Sequence, residues 1–369
     1  MKKAQKLLLL TFGLVFFTGF SADSQTQRNL DFSGFEQFLL IGSILEQDRE
    51  PKQEEWDRLF ETPGYEILTH SEFSRDFFKR NFRLVFMPSQ SQELKKTLKE
   101  EAGQPPHVQF VNHFLEAKQN REELIRYTDS LRADADSFVT ISARMAKAYL
   151  PPGDWTQFIP LSFLIFANDA RGYTPVVIDI FFAKALGENL PVLIAHELHH
   201  FYRNKILVFD MDEVTSDQQD LLWVMNQIQA EGIADQIDKR ILIMDKEGPM
   251  HAYADSWEAM VSQAPEYIQS FDKQLAAINE SLQGTKEAGQ KLKTGLPMSG
   301  HPIGFFMANT ILEQGSKKDL VEKAGNPFAF FRLYHKAAQN AKGIAPTFSH
   351  ETLQIIEILE NKYVFTTPE

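Results

Sequence analysis

The stretch Leu190-Pro-Val-Leu-Ile-Ala-His196-Glu197-Leu198-His199-His200 decides how the rest of the chain is read. It is an H-E-x-x-H pattern behind an apolar lead-in, with Asn189 placed to begin a helix and Pro191 in its first turn. Residues four apart on a helix share a face, so His196 and His200 can both reach one Zn2+ through their imidazoles. Glu197 sits a third of a turn round, beside such an ion rather than on it. There it can take a proton from a water.

Catalytic zinc takes three protein ligands and leaves one position open. Composition restricts the third, because among 369 residues there is no cysteine. A third His at the H-x-x-G-x-x-H continuation is excluded, since Arg203 and Ile206 occupy those positions. Carboxylates remain. Asp210 and Asp212 lie within a dozen residues, in a stretch that reads as an acidic surface turn. Glu213 and Asp217 match a Glu-x-x-x-Asp spacing, but too close to His200 for a second helix to turn back. Glu231 and Asp235 have the same spacing further on. There they continue the stripe of Leu221, Val224 and Ile228 on a helix expected to open at Ser216-Asp-Gln-Gln219. Carboxylates on an apolar stripe are costly to bury without a compensating positive charge. A metal on Glu231 provides it, with Asp235 holding the N–H of a ligating imidazole, expected to be His196. An ordinary salt bridge from Asp235 to Lys239 accounts for the same spacing without a metal.

Two structural segments flank this pair of helices. Phe158–Ala167 and Tyr173–Ile180 are short, β-branched and aromatic, and the turn chemistry of residues 168–172 between them predicts a hairpin. Residues 26–150 read as helical, with breaks at Gln104-Pro-Pro and Pro151-Pro152-Gly153. Residues 281–300 hold four glycines and read as a loop. Helical segments near 302–315, 326–341 and 349–361 close the chain. The expected fold is α+β and mostly helical. Its divisions are a leader over 1–24, a helical region over 25–150, a core with a small sheet and two metal-bearing helices over 151–315, and a helical remainder over 316–369. The 31 phenylalanines supply a large core.

H-E-L-H-H followed by E-G-I-A-D resembles the gluzincin type of zinc metallopeptidase, and more closely a group of zinc-dependent peptidases among the uncharacterised domain families. The resemblance is specific over residues 158–307. It implies a zincin-like core in which His196, His200 and Glu231 are ligands, Glu197 is the general base, and a sheet edge lines the cleft. Such families often carry a G-(Tyr or His)-x-x-G-x-x-Met-Ala segment downstream, and this chain has Gly300-His301-Pro-Ile-Gly304-Phe-Phe-Met307-Ala308. By that likeness His301 is expected to donate a hydrogen bond to a developing oxyanion.

The remaining composition bounds partners and address. A net charge of −12 without a basic block excludes nucleic acid as a natural partner. Lys2, Lys3 and Lys6 precede an uncharged run from Leu7 to Ala22, and small residues follow at Ser21 and Ser24. This is the pattern of a cleavable export signal. It predicts a bacterial periplasmic or secreted protein with no membrane span in the mature chain, acting on peptide or protein substrates. The oligomeric state is left open. The competing expectation is a non-catalytic envelope protein whose degenerate zincin-like domain binds a metal or a partner. His70, His107, His113, His251, His335 and His350 have no partner at ligand spacing and read as surface or capping residues. His199 reads as an accessory or surface residue, and Tyr202 as packing.

Overall fold

A computed structural model describes residues 30–99, 106–341, 343 and 345–364. The leader expected over residues 1–24 and His107 lie outside the residues whose side chains it describes. The chain is mostly helical with one four-stranded sheet, the α+β composition expected. Among the described residues no helix is long and apolar enough to cross a membrane.

The sheet has strands β1 (Leu30–Asp31), β2 (Leu161–Leu164), β3 (Ala170–Arg171) and β4 (Val176–Asp179), in the order β1-β2-β4-β3. The sequence reading needs correcting here. The two apolar runs do not form a hairpin with each other: β2 and β4 are parallel, with Leu161 opposite Val176 and Leu164 opposite Asp179. The antiparallel pair is β3 with β4, Ala170 facing Ile178 and Arg171 facing Val177. Every residue of β2 and β4 is buried. A strand covered on both faces lacks the polar alternation that separates a hairpin from a parallel pair. Residues 165–169 therefore carry the chain past β4 to the outer edge, where β3 returns.

Residues 33–99 and 106–147 are mostly helical, as the periodicity predicts, and they are not a separate body. β1 pairs with β2, Phe32 stacks on Phe163 with ring centroids 4.9 Å apart, and the Tyr65 hydroxyl donates to the Ile165 carbonyl at 2.7 Å. A cluster of Phe38, Phe82, Phe86 and Phe114, with centroid separations of 5.0–5.9 Å, fills the space under these helices. Such edge-on and offset ring pairs add stability beyond the area they bury. The last of these helices, Ala135–Lys147, packs along the helix that carries the H-E-x-x-H pattern.

Two further expectations change. Residues 281–300 are not a continuous loop, since Thr285–Thr294 is a helix. Gly289 sits inside it because a Cβ there would come within 2.6 Å of the Leu221 backbone nitrogen. That glycine marks a close helix–helix approach rather than a turn. The helix beyond Ser216 begins at Gln219, with Gln218 at its N-cap and no side-chain cap, so the expected capping box does not form. The closing helices fall at His301–Gln314, Pro327–Asn340 and His350–Tyr363, close to the expected ranges.

Candidate metal centre

Three helices converge on one point. His196, Glu197 and His200 lie on Leu190–Asn204, whose buried face of Val192, Ile194, Ala195 and Leu198 ties it to the core. Glu231, Asp235 and Asp238 lie on Gln219–Lys239, the central helix, which packs against the first and against His301–Gln314. His301 is the first residue of that third helix. The chain enters it through Met298, Ser299 and Gly300, all at positive φ (43°, 51° and 100°). Only the glycine adopts such a conformation without steric cost.

His196 Nε2 and His200 Nε2 are 3.0 Å apart. Glu231 Oε2 stands 3.1 Å from the second and 3.4 Å from the first. Donor atoms held tetrahedrally at 2.0–2.1 Å from zinc are themselves about 3.3 Å apart. This triangle of two imidazole nitrogens and a carboxylate oxygen therefore has the size and chemistry of three zinc ligands. His196, Glu231, Asp235 and His301 form an overlapping group whose ligand atoms all lie within 4.8 Å of one another. His196 and Glu231 are common to both sets.

The surrounding charges fit a divalent cation. Asp235 and Asp238 are buried, and Glu231 is nearly so. Lys239 pairs with Asp235 at 3.1 Å and Asp238 at 2.7 Å, and among the described residues is the one ammonium set against these three carboxylates. With neutral imidazoles two negative charges stay uncompensated, a cost that a bound divalent ion removes. Burial alone would raise the Glu231 carboxyl, but the charge of His200 and hydrogen bonds from His196 and His200 hold it well below the usual range. Burial opposes charge on His196 as well, yet the Asp238 carboxylate outweighs it and raises the imidazole well above its ordinary value.

The carboxylate that orients His196 differs from the one expected. Asp238 Oδ1 meets His196 Nδ1 at 3.1 Å, whereas Asp235 Oδ1 is 3.7 Å away, beyond a hydrogen bond. Asp235 serves His301 instead, at 2.9 and 3.1 Å from Nδ1. Each histidine thus has Nδ1 on a carboxylate, which fixes the proton there and leaves Nε2 as the second functional nitrogen. Burial works against charge on His301, and Asp235 outweighs it, raising this imidazole above its usual value. The Asp235–Lys239 salt bridge read from the sequence also forms, inside the site rather than on a solvated face.

Glu197 lines the same cleft of about 1010 Å³ and, among the described residues, has no ion-pair or hydrogen-bond partner. It is backed by Gly172, where a Cβ would come within 2.7 Å of Glu197 Oε2. Residues 169–174 form the opposite lip of the cleft, so the β3 edge does line it. The other third-ligand candidates are not brought to the site. Asp210, Asp212, Glu213 and Asp217 are exposed, and Asp210 caps a short turn by accepting from Asp212 N.

Two histidines are not where their spacing suggested. His199 is fully buried behind the cleft with Nε2 3.3 Å from the Tyr149 carbonyl oxygen, and burial pushes it well below its ordinary value. His113 is also buried, 2.8 Å from Asp179. Tyr202 packs in the core beside Trp155. Sequence reasoning missed Asp238 and Gly172, and read Lys239 only as the salt-bridge partner of Asp235. Asp238 could have been found as the i+7 position from Glu231, two helical turns along one face.

A family model described as "Putative zinc dependent peptidase (DUF5700)" matches residues 56–343. No curated protein and no solved structure matches the chain.

Proposed function

Because the chain belongs to this zinc-dependent peptidase family, we propose that it is an exported metallopeptidase with a zincin-like core that hydrolyses peptide bonds at the His196–His200–Glu231 centre. The observation that carries the reading is the 3.0–3.4 Å triangle of donor atoms, with an unpartnered carboxylate one residue from the first of them. Export rests on the leader pattern over residues 1–24.

His196, His200 and Glu231 would hold Zn2+, which when bound lowers the pKa of a water and polarises a carbonyl. Glu197 then has the position of a general base: it accepts the proton of the attacking water and hands it to the leaving amine. His301, held at Nδ1 by Asp235 and drawn by that carboxylate toward its doubly protonated form, presents Nε2–H as a donor to the oxyanion of the tetrahedral intermediate. Asp238 keeps His196 in the tautomer that leaves Nε2 free as a ligand, and Asp235 favours the protonated His301 that a donating Nε2 requires. The β3 edge offers backbone groups to an extended peptide laid along the cleft.

The test is hydrolysis of a peptide library by the zinc-loaded protein, with and without chelator, alongside the Glu197→Gln variant. Chelator-sensitive cleavage that the variant loses, at unchanged zinc content, is the expected result. Zinc binding with no cleavage of any peptide would overturn the reading and leave a metal-binding envelope protein.

A further inference from the structure

The lip of the cleft is held from outside the catalytic helices. Glu72 ends the helix Pro63–Ser71, and its Oε1 accepts from Arg171 Nε at 2.8 Å and from the Tyr173 hydroxyl at 2.9 Å. These two donors flank Gly172. Tyr173 N also donates to the Arg171 carbonyl at 2.8 Å, closing a tight turn about Gly172 that brings the two flanking side chains to the same carboxylate. Arg171 and Tyr173 reach outward to one carboxylate, while Gly172 lies against Glu197 on the inner side.

The arrangement supplies what β3 lacks. β3 is two residues long, at the sheet edge, paired on one side only. A strand that short is weakly fixed by its own ladder. Arg171 adds a pairing with Asp169, and its guanidinium lies 5.6 Å from the centre of the Phe166 ring, but both partners are on the same excursion of chain. Among the described residues, Glu72 is the ion-pair partner of this lip from another part of the fold. Its side chain and that of Arg171 are about three-quarters covered, at 24% and 28% exposure. That burial separates the pair from a solvated ion pair of negligible effect.

We propose that Glu72 is a positioning residue: through Arg171 and Tyr173 it fixes the height of the 169–174 lip above Glu197, and with it the edge on which an extended peptide is held. The helical region before residue 150 thereby has a part in substrate binding. The proposal rests on the peptidase reading for its kinetic consequence but not for its structural one.

Glu72→Ala tests it, beside Glu72→Gln, which keeps an oxygen acceptor, and Tyr173→Phe, which removes one hydroxyl. Zinc content and melting temperature are measured first, then backbone amide exchange over 169–174, then kcat and KM on a peptide long enough to span the cleft. For Glu72→Ala we expect unchanged zinc, exchange over 169–174 faster by about ten-fold, and KM raised about ten-fold with kcat nearly constant. Glu72→Gln should recover most of this, and Tyr173→Phe should show a smaller shift in the same direction. Unchanged exchange at the lip in both Glu72→Ala and Tyr173→Phe would overturn the proposal. A wild-type protein that cleaves no peptide would instead remove the peptidase reading, and the exchange data would still decide whether Glu72 holds the lip. If Glu72→Ala does not fold, Tyr173→Phe carries the same comparison.

Discussion

Gly232 and Gly304 meet backbone to backbone. A Cβ on Gly232 would lie 2.3 Å from the Gly304 carbonyl carbon, and one on Gly304 would lie 2.1 Å from the Ile228 oxygen. Their helices touch here, one residue past Glu231 and three past His301. That proximity brings His301 Nδ1 to 3.3 Å from Glu231 Oε2. The glycines of the E-G-I-A-D and G-H-P-I-G segments are therefore the contact on which the site is assembled.

Gly304→Ala should force the two helices apart, costing about 1–3 kcal/mol of stability and lowering zinc occupancy. Gly295→Ala is the control. Its Cβ would meet nothing nearer than 3.5 Å at an ordinary φ of −88°, so stability should move by less than about 0.5 kcal/mol. Thermal melts with metal analysis compare the two.

Asp238→Asn should weaken zinc binding about 10- to 100-fold, because it removes the carboxylate on His196 Nδ1. Asp235→Asn should act on His301 instead, lowering kcat while zinc affinity changes less. Equal effects of both substitutions on affinity would show that the two acids do not divide the histidines as the distances imply. Competition titrations with a chromophoric chelator measure the first quantity and steady-state kinetics the second.

Zinc uptake should release protons and weaken as pH falls. Without metal, His196 is drawn toward its charged form by Asp238 despite burial, so its raised pKa keeps it protonated to higher pH than a free imidazole. A ligating imidazole must be neutral, so each step down in pH below that raised value adds a proton for the metal to displace. Calorimetry in buffers of different ionisation enthalpy reads the number released, and a result independent of buffer would contradict the charge state.

Arg203→Ala should be strongly destabilising, by about 3 kcal/mol or more. The guanidinium is fully buried, donating to the Ala324 carbonyl at 3.2 Å and to Gln229 Oε1. Removing it strands both acceptors and leaves a cavity behind the H-E-x-x-H helix. Chemical denaturation of zinc-loaded and zinc-free protein measures the loss, which should appear in both.

What was legible in the sequence follows from range. The two helices of the candidate centre could be read locally, since H-E-x-x-H behind an apolar lead-in and a carboxylate on an apolar stripe each fit within a few turns. The strand pairing could not, because Leu161–Leu164 and Val176–Asp179 are buried on both faces and carry no alternation to fix direction. Asp238 was hidden differently: it falls outside the Glu-x-x-x-Asp spacing that singled out Asp235, and only the fold turns it toward His196. Gly289 shows the opposite error, a glycine read as a loop because the backbone it packs against is 68 residues away in sequence, at Leu221.

The two residues of β1 bear on how the molecule is put into service. Leu30 and Asp31 lie in register with Leu161 and Ser162, and Phe32 covers Phe163 behind them. A protease that clipped away the helices following this strand would bare β2, withdraw the Ala135–Lys147 brace from the H-E-x-x-H helix and remove Glu72 from the lip of the cleft. Maturation by discarding that region, in the manner of a zymogen, would dismantle the centre instead of unmasking it.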